Sequence, residues 1–380
     1  MMLLALSLAI GFLAVFIGTP YAERYLLASG MFGTDQQKED KPTLATSGGV
    51  AVFFGFLFSV TTYLGFSSLA DSGTNFPEVL AALSSVSIIT LIGLLDDIHV
   101  NIKLIFEEEL NISRDEITFE YEERFEKQLP HQKAAGVFAG LFTEKSRKDG
   151  EEDMIRQGMS QVSKMLFVIP AVFPLMAVGA GSWSMSFPVI GTVNWGLIYP
   201  LVLLPLGLLF VSNVVNMLAG MNGLSTSMSL VASTTLGIYA LHLNQIEAAV
   251  IALSLSVALA GFLRYNLYPA SVLPGDSLTY LCGAAMFSAI VIGDMEKFGA
   301  FIFLPWIIEF FLKARSGFNA HSWGDLNEKG VLENQHDKIY SLTHLLMDRK
   351  YDEKQITLIL TGIETLICVT ALILFTGVIK

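Results

Sequence analysis

Charge is scarce in this chain of 380 residues: 15% of the residues are charged and 53% are hydrophobic. Soluble domains of this size are rarely so apolar, and long uncharged runs recur along the whole sequence, which is typical of a polytopic membrane protein. Basic residues are also outnumbered, with a formal net charge of −12. This balance excludes a general nucleic-acid binder. The composition predicts an all-α, polytopic integral membrane protein.

Cysteine is almost absent, and familiar catalytic motifs are missing. Cys282 and Cys368 both fall in apolar runs, which excludes a disulfide framework and a cysteine-based metal site. The sequence has no GxGxxG, P-loop, GxSxG or HExxH pattern, so the corresponding nucleotide-binding and hydrolase classes lack support. The N-terminal run 1–20 has no basic start and no small-residue cleavage site, which favours a first membrane span over a signal peptide.

About ten transmembrane helices are predicted, because a span needs about 20 apolar residues. The candidates are residues 1–19, 48–70, 77–95, 164–181, 196–216, 225–242, 246–264, 276–293, 298–316 and 356–379. The connections after odd-numbered spans hold all of the 23 lysines and arginines except Lys297 and Lys380. The positive-inside rule therefore predicts that these connections are cytoplasmic and that both termini face outward.

The spans divide the chain into five predicted segments. These are 1–98 with helices 1–3 and the first cytoplasmic loop, a charged cytoplasmic insert at 99–160, helices 4–9 at 161–316, a cytoplasmic loop at 317–355 and helix 10 at 356–380. The insert holds 14 acidic and nine basic residues, which favours a solvated appendage without a catalytic role. Alternation over 117–121 predicts a short strand, and residues 182–195 predict a small outward hairpin.

Five polar stretches interrupt the apolar sequence on the same predicted membrane side. They are TSGG (46–49), LLDDI (94–98), NVVNMLAGMNG (213–223), PGDSLTY (274–280) and the loop at 313–355. A secondary transporter would place its site near the membrane midplane between internal repeats, and no repeat is evident. The pattern therefore indicates an active site at the cytoplasmic membrane surface.

Two of these stretches carry side chains suited to a metal or a nucleotide. Asp96 and Asp97 are adjacent like charges that a hard cation such as Mg²⁺ would relieve, although such a pair can also simply end a helix in water. Asn213 and Asn216 share one helix face, and Asn222 and Gly223 follow in the turn beyond. Asparagine can bind a nucleobase edge or a metal, but it can equally join membrane helices.

Isolated polar residues in or beside spans have competing interpretations. Asp276 opens a span as an N-cap or as part of a phosphate-binding helix start, and Lys164 is an interfacial lysine or a ligand for phosphate. Glu309 is expected to pair with Lys313 one turn on. Glu364 lies deeper, without a partner nearby in sequence, and is a functional candidate. Together, the polar residues suit a phosphorylated water-soluble substrate that meets a lipid, with Mg²⁺ between them.

In combination, the motifs resemble the polyprenyl-phosphate N-acetylhexosamine-1-phosphate transferases of the glycosyltransferase family 4 type. NVVNMLAGMNGLS is similar to the asparagine-rich motif of that family, LLDDI to its Asp-Asp motif, PGDSLTYLCGA to its Gly-Asp-Ser/Thr motif and TDQQKEDKPTLATSGGV to its first cytoplasmic loop. The resemblance covers nearly everything except 99–155. GDLNEKGVLENQHDKIYSLTHLLM resembles the last loop of the eukaryotic and archaeal dolichyl-phosphate branch, and the histidine-rich motif of the muramoyl-pentapeptide branch is not found.

The resemblance implies roles for particular residues. Asn216 and Asp276 would hold Mg²⁺, for which Mn²⁺ could substitute. Asn222 and Gly223 would contact the uridine. The implied catalytic set is Asp96, Asp97, Lys164, Asn213 and His321.

One departure from the family concerns the last loop. The eukaryotic branch has arginines on both sides of a histidine there, whereas this chain has Ala320-His321-Ser322. Those arginines hold the diphosphate and the sugar, so the identity of the sugar stays open. Arg315 is the nearest candidate to supply the missing charge toward the diphosphate.

The reaction implied is transfer of N-acetylglucosamine-1-phosphate, or a related HexNAc-1-phosphate, from the UDP-sugar to polyprenyl or dolichyl phosphate, with release of UMP. This would be the first membrane step of protein N-glycosylation or of a cell-envelope glycan. The alternatives are another UDP-sugar, including UDP-MurNAc-pentapeptide, and a nucleotide-sugar or lipid carrier that binds without cleaving. Membrane lipid and a second copy of the chain, as a homodimer, are further expected partners, and nucleic acid is not.

Overall fold

The computed structural model describes residues 1–70, 74–98, 142–145, 156–159, 161–187, 191–328 and 330–377. The chain forms two compact units: Met1–Leu94 with Val168–Lys380, and Leu95–Phe167. The strand predicted at 117–121 lies outside the described residues.

Helices dominate the described residues, and four antiparallel two-stranded sheets accompany them. The helices are α1 (Met2–Ala28), α2 (Gly49–Leu69), α3 (Phe76–Asp97), α4 (Gln161–Ala177), α5 (Leu204–Met217), α6 (Leu224–His242), α7 (Ile246–Asn266), α8 (Gly275–Ile292), α9 (Glu296–Ile302), α10 (Leu304–Ala314), α11 (Leu342–Met347) and α12 (Glu353–Thr376), with a π-helical turn at Tyr199–Leu203 before α5. The strand pairs are β1 (Phe32–Thr34) with β2 (Thr43–Ala45), β3 (Phe142–Lys145) with β4 (Arg156–Met159), β5 (Ser184–Phe187) with β6 (Gly191–Asn194), and β7 (Asp325–Leu326) with β8 (Leu332–Glu333).

Eight helices of the described residues are long and apolar enough to cross a membrane, which makes the chain a multi-pass membrane protein. They match eight of the ten predicted spans. The predicted fourth span is α4, which has 17 residues, contains Pro170 and Pro174 and has a shorter apolar part at Phe167–Ala177. The predicted ninth span is two helices, α9 and α10, that meet at Phe303 ahead of Pro305. Proline removes a backbone donor and clashes with the preceding turn, so it favours such breaks.

Helix α8 lies at the centre of the first unit. Sixteen of its 18 residues are buried, and it packs against α2, α5, α6 and α7. Gly283 allows a close approach, because a Cβ there would lie 2.5 Å from the Ser212 Cα of α5. Small residues permit such tight packing between membrane helices.

The hairpin predicted at 182–195 is confirmed. Strands β5 and β6 pair in antiparallel register from Ser184 opposite Asn194 to Phe187 opposite Gly191. The Trp195 N–H donates to the Trp183 carbonyl at 2.8 Å and closes the open end of the hairpin.

Candidate active site

Segments from five parts of the first unit meet at one end, which we call the motif end. They are residues 34–49, 213–226, 264–276, 320–323 and 353–357. The first and third segments are joined by backbone hydrogen bonds. The Leu273 N–H donates to the Ala45 carbonyl at 2.8 Å, and the Gly49 N–H donates to the Pro274 carbonyl at 3.1 Å. The TSGG and PGDS motifs therefore lie side by side, although 225 residues separate Gly49 from Pro274 in the sequence.

Asp276 and Asn216 face the motif end from two packed helices. Asp276 lies in the first turn of α8, where Pro274 rather than Asp276 occupies the N-cap position, so the N-cap interpretation of Asp276 is wrong. Asn216 follows Ser212 by one helical turn, and Asp276 precedes Gly283 by two turns, so both lie on the faces along which α5 and α8 pack. The loops that end α5 and begin α8 are joined by a hydrogen bond from the Ala270 N–H to the Asn222 amide oxygen, 2.8 Å.

The donor set here fits Mg²⁺. A carboxylate and an amide oxygen are hard ligands, and Mg²⁺ is usually bound through one or two protein groups plus waters and substrate phosphates. Among the described residues, no group of three or more His, Cys, Asp or Glu side chains could hold a metal. Most ligands would therefore come from substrate and water. The first asparagine of the motif differs: the Asn213 amide donates to the Leu209 carbonyl of its own helix at 2.8 Å.

Asn222 is held firmly in the turn between α5 and α6. Its side-chain amide donates to Asp35 Oδ2 at 2.9 Å, and its backbone N–H donates to Glu353 Oε1 at 2.7 Å. Thr357 Oγ1 donates to its carbonyl at 3.2 Å. The next residue, Gly223, has φ +77° and caps α6, a conformation that favours glycine. The turn to which the resemblance assigns uridine is thus hydrogen-bonded to the first loop, the loop before α8 and α12.

The last loop lies against the end of α5. Ser322 Oγ donates to the Met217 carbonyl at 2.6 Å, and Thr343 Oγ1 donates to the Ser322 carbonyl at 2.6 Å. These bonds bring the His321 segment beside the asparagine-rich turn. The His321 ring is exposed and stacks on Trp323, with 4.1 Å between ring centroids.

His344 fixes the backbone of His321. Its Nε2 lies 2.7 Å from the His321 carbonyl, and the Tyr340 N–H donates to its Nδ1 at 3.3 Å. These partners select the neutral tautomer that carries its hydrogen on Nε2. Burial lowers the pKa of His344 to about 4, so the ring is neutral over most of the physiological range.

Glu309 and Lys313 anchor both ends of the same loop. Their predicted pairing is confirmed, with 3.8 Å between Lys313 Nζ and Glu309 Oε1. Lys313 Nζ donates to the Ala320 carbonyl at 2.7 Å, and the Leu342 N–H donates to Glu309 Oε2 at 2.8 Å. Arg315 is exposed, and its guanidinium carbon lies 6.0 Å from the centre of the Tyr340 ring.

Three predicted catalytic residues belong to the other unit. Asp96 and Asp97 end α3, where both are buried. Lys164 lies on α4, and its side chain is outside the described part of the chain. Their roles stay predictions. The expectation that Glu364 lacks a nearby partner is wrong, because Cys368 Sγ, one turn along α12, donates to Glu364 Oε1 at 3.1 Å.

Sequence reasoning missed the two acids that accept hydrogen bonds from Asn222 and the lysine that pairs with both acids. Asp35, Lys38 and Glu353 are each nearly buried at the motif end. The sequence offered two signals: an acid and a lysine three residues apart in the first loop, and the adjacent acids Asp352 and Glu353 at the start of an apolar helix. Neither signal shows that the two segments meet.

Comparisons with known proteins agree with the arrangement of the motifs. Residues 151–294 match the family described as glycosyl transferase family 4. Relatives in Sulfolobus acidocaldarius and Saccharolobus solfataricus are each 29% identical, over 97% and 98% of this chain and 95% and 97% of their own. Both are provisionally named UDP-N-acetylglucosamine–dolichyl-phosphate N-acetylglucosaminephosphotransferase. A phospho-N-acetylmuramoyl-pentapeptide-transferase of Clostridium perfringens is 30% identical over 40% of this chain and 49% of its own. The family match and the relatives aligned along almost the full length make this chain similar to glycosyl transferase family 4.

Proposed function

We propose that the protein transfers N-acetylglucosamine-1-phosphate from UDP-N-acetylglucosamine to a dolichyl-type polyprenyl phosphate and releases UMP. The observation that carries this proposal is the meeting of the asparagine-rich turn, the PGDS helix start and the His321 loop at one end of the unit. The names of the two archaeal relatives supply the substrates.

In this reaction the bond between the β-phosphorus and the bridging oxygen breaks, and a bond from the lipid phosphate oxygen to the β-phosphorus forms. The leaving group is UMP. The lipid phosphate is largely ionised near neutral pH, so the protein does not need a strong general base. Catalysis then rests on positioning and on stabilising charge.

Each candidate site residue has its own role in the proposed reaction. Asn222 and Gly223 hold the uridine, and Asn216 and Asp276 would bind Mg²⁺ (or Mn²⁺), which neutralises the diphosphate when bound. His321 and Lys164 balance the charge on the diphosphate, with Arg315 as a further base. Asp96 and Asp97 orient the lipid phosphate, and Asn213 supports the helix end that carries Asn216.

The test is an assay of the purified protein with polyprenyl phosphate, Mg²⁺ and a panel of UDP-sugars. UMP and glycolipid formed only with UDP-N-acetylglucosamine support the proposal. The partial similarity to the Clostridium perfringens protein favours UDP-MurNAc-pentapeptide as the second candidate, and product from it alone would replace the first. Binding of UDP-sugar without UMP release would indicate a carrier.

We further propose that the motif end is cytoplasmic and that both termini face outward, because the basic residues cluster on that side. A cysteine at Asn334 should then react only with reagents that enter the cytoplasm, and a cysteine at Thr192 in the hairpin only from outside. Labelling of both from the same side would contradict this topology. A homodimer, if formed, will be visible in native mass spectrometry of the purified protein.

A further inference from the structure

A buried group of charges lies directly behind the asparagine-rich turn. Lys38 Nζ lies 3.1 Å from Asp35 Oδ2 and pairs with Glu353 Oε2. The side chains of these residues are only 4–10% exposed. Lys38 Nζ also lies 4.4 Å from the centre of the Tyr268 ring. The group therefore joins the first loop, the loop before α8 and the start of α12.

Both carboxylates of this group hold Asn222. Asp35 accepts the side-chain amide of Asn222 at 2.9 Å, and Glu353 accepts its backbone N–H at 2.7 Å. Hydrogen bonds to ionised acceptors are stronger and shorter than neutral ones. Lys38 lies within ion-pair distance of both acids and so places a positive charge between the two acceptors.

The same segment of the first loop also reaches the other side of the turn. Gln37 Nε2 donates to the Gly220 carbonyl at 2.5 Å. Residues 35–38 thus hold the Gly220 carbonyl and the Asn222 side chain, and Glu353 holds the Asn222 backbone N–H. Because these anchors come from opposite ends of the chain, the shape of the turn depends on both.

We propose that Asp35, Lys38 and Glu353 are positioning residues that set the turn Gly220–Gly223 for nucleotide binding. The proposal rests on the proposed function only in taking this turn as the uridine site. It assigns the three residues to affinity for the nucleotide rather than to the phosphoryl transfer step.

The experiment measures the Kd of UDP in Mg²⁺, without lipid, by titration calorimetry on the purified full-length protein, together with the thermal midpoint. Glu353→Ala and Lys38→Met should each raise the Kd about tenfold or more, since a buried donor or acceptor loses its partner. Glu353→Gln keeps an oxygen for the Asn222 N–H and should recover part of the affinity. In turnover, KM for the UDP-sugar should rise while kcat changes little.

The matched control is Glu333→Gln, which breaks the exposed pair between Glu333 and Lys350 and should leave the Kd unchanged. A role in stability alone would lower the thermal midpoint of Glu353→Ala or Lys38→Met but leave the Kd of the folded protein as in the wild type, and that result overturns the proposal. If Glu353→Ala does not fold, the Kd values of Glu353→Gln and Lys38→Met for UDP test the proposal in its place.

The two proposals fail separately. If the wild type releases UMP and the variants bind UDP normally, the positioning role is wrong and the transferase function stands. If the wild type binds UDP without releasing UMP and the variants lose binding, the positioning role stands and the transferase function is wrong. If the wild type does not bind UDP, the uridine site is not at this turn and the positioning role fails.

Discussion

Acidic residues at the motif end of the first unit have different partners from those at its opposite end. At the motif end Lys38 pairs with both Asp35 and Glu353, and the last loop beside it contains the Glu309–Lys313 and Glu333–Lys350 pairs. At the opposite end, a cavity of about 710 Å³ is lined by Asp294, Glu296, Lys297, Tyr239, Phe298, Phe375 and the β5 hairpin residues, among others. There Glu296 accepts a hydrogen bond from the Tyr199 hydroxyl at 3.0 Å.

The difference lies in the partners of the buried acids. Burial raises the pKa of both Asp294 and Glu296, because an uncompensated charge is costly away from water. At the motif end, by contrast, Glu353 and Glu309 each have a lysine beside them and each accept a hydrogen bond from a backbone N–H. The two ends therefore differ in what holds their acids: lysines and backbone N–H groups at the motif end, and a tyrosine hydroxyl at the opposite end.

The largest effect is expected from the proposed metal ligands. Asp276→Asn and Asn216→Ala should each lose several kcal/mol of transition-state stabilisation, about a thousandfold in turnover. Asp294→Asn at the opposite end should keep nearly full activity. The measurement is UMP release across a Mg²⁺ titration, and wild-type turnover by either folded motif-end variant at limiting Mg²⁺ would remove these residues from the metal site.

The next effect concerns stability. Glu309→Ala should destabilise the protein by about 3–5 kcal/mol, because it leaves Lys313 buried without its partner. The double variant Glu309→Leu with Lys313→Met should be less harmful than either single change. Lys350→Ala, which breaks an exposed pair, should have no measurable effect on the thermal midpoint. Equal midpoints for Glu309→Ala and Lys350→Ala would mean that the ion pair does not stabilise the last loop.

A smaller effect is expected from the exposed bases of the last loop. His321→Ala and Arg315→Ala should lower kcat about tenfold with saturating UDP-N-acetylglucosamine, equivalent to about 1.4 kcal/mol. His242→Ala, at the far end of α6, is the matched control and should not change kcat. Unchanged kcat and KM in both motif-end variants would show that the diphosphate is bound by other groups, with Lys164 the next candidate.

The smallest effect is a pH dependence of opposite sign for His344 and Glu296. His344 has a pKa lowered by burial from 6.5 to about 4, so its contribution to stability is complete above pH 6.5 and is lost as the pH falls toward 4. Glu296 has a pKa raised above 4.5 by burial, so its contribution is complete below pH 4.5 and is lost as the pH rises through the raised pKa.

Thermal midpoints between pH 4 and 7 test this contrast. His344→Gln should reduce the loss of stability on acidification, and Glu296→Gln should reduce the loss on moving to neutral pH. The same sign of change in both variants would contradict the assigned protonation states.

The sequence predicted features that depend on neighbours along the chain. Long apolar runs located the helices, alternation located the β5–β6 hairpin, and a spacing of four residues predicted the Glu309–Lys313 pair. Polar residues in apolar surroundings also identified Asn216, Asn222 and Asp276 as candidates. The break at Phe303 was missed although Pro305 signals it, because hydropathy summed over a window does not register a local break.

Features that depend on distant contacts could not be predicted. Lys38 and Glu353 are 315 residues apart, and in sequence one is a loop lysine and the other a helix-terminal acid. The sequence places Asn213 on a helix and Asn222 in the turn beyond, but it does not show that Asn222 is engaged by four partners while Asn213 bonds to its own helix. That difference arises because two loops and the start of α12 pack around one turn.

The enclosure of α8 has a consequence for the proposed lipid acceptor. Sixteen of the 18 residues of this helix are covered by protein, so an isoprenoid tail in the bilayer would find almost none of its surface to lie along. In the proposed reaction, the phosphate end of the acceptor approaches the start of α8, where Asp276 lies, and the tail lies along helices with more exposed surfaces. Recognition of the phosphate and selection for the number of isoprene units would then be carried out by different helices.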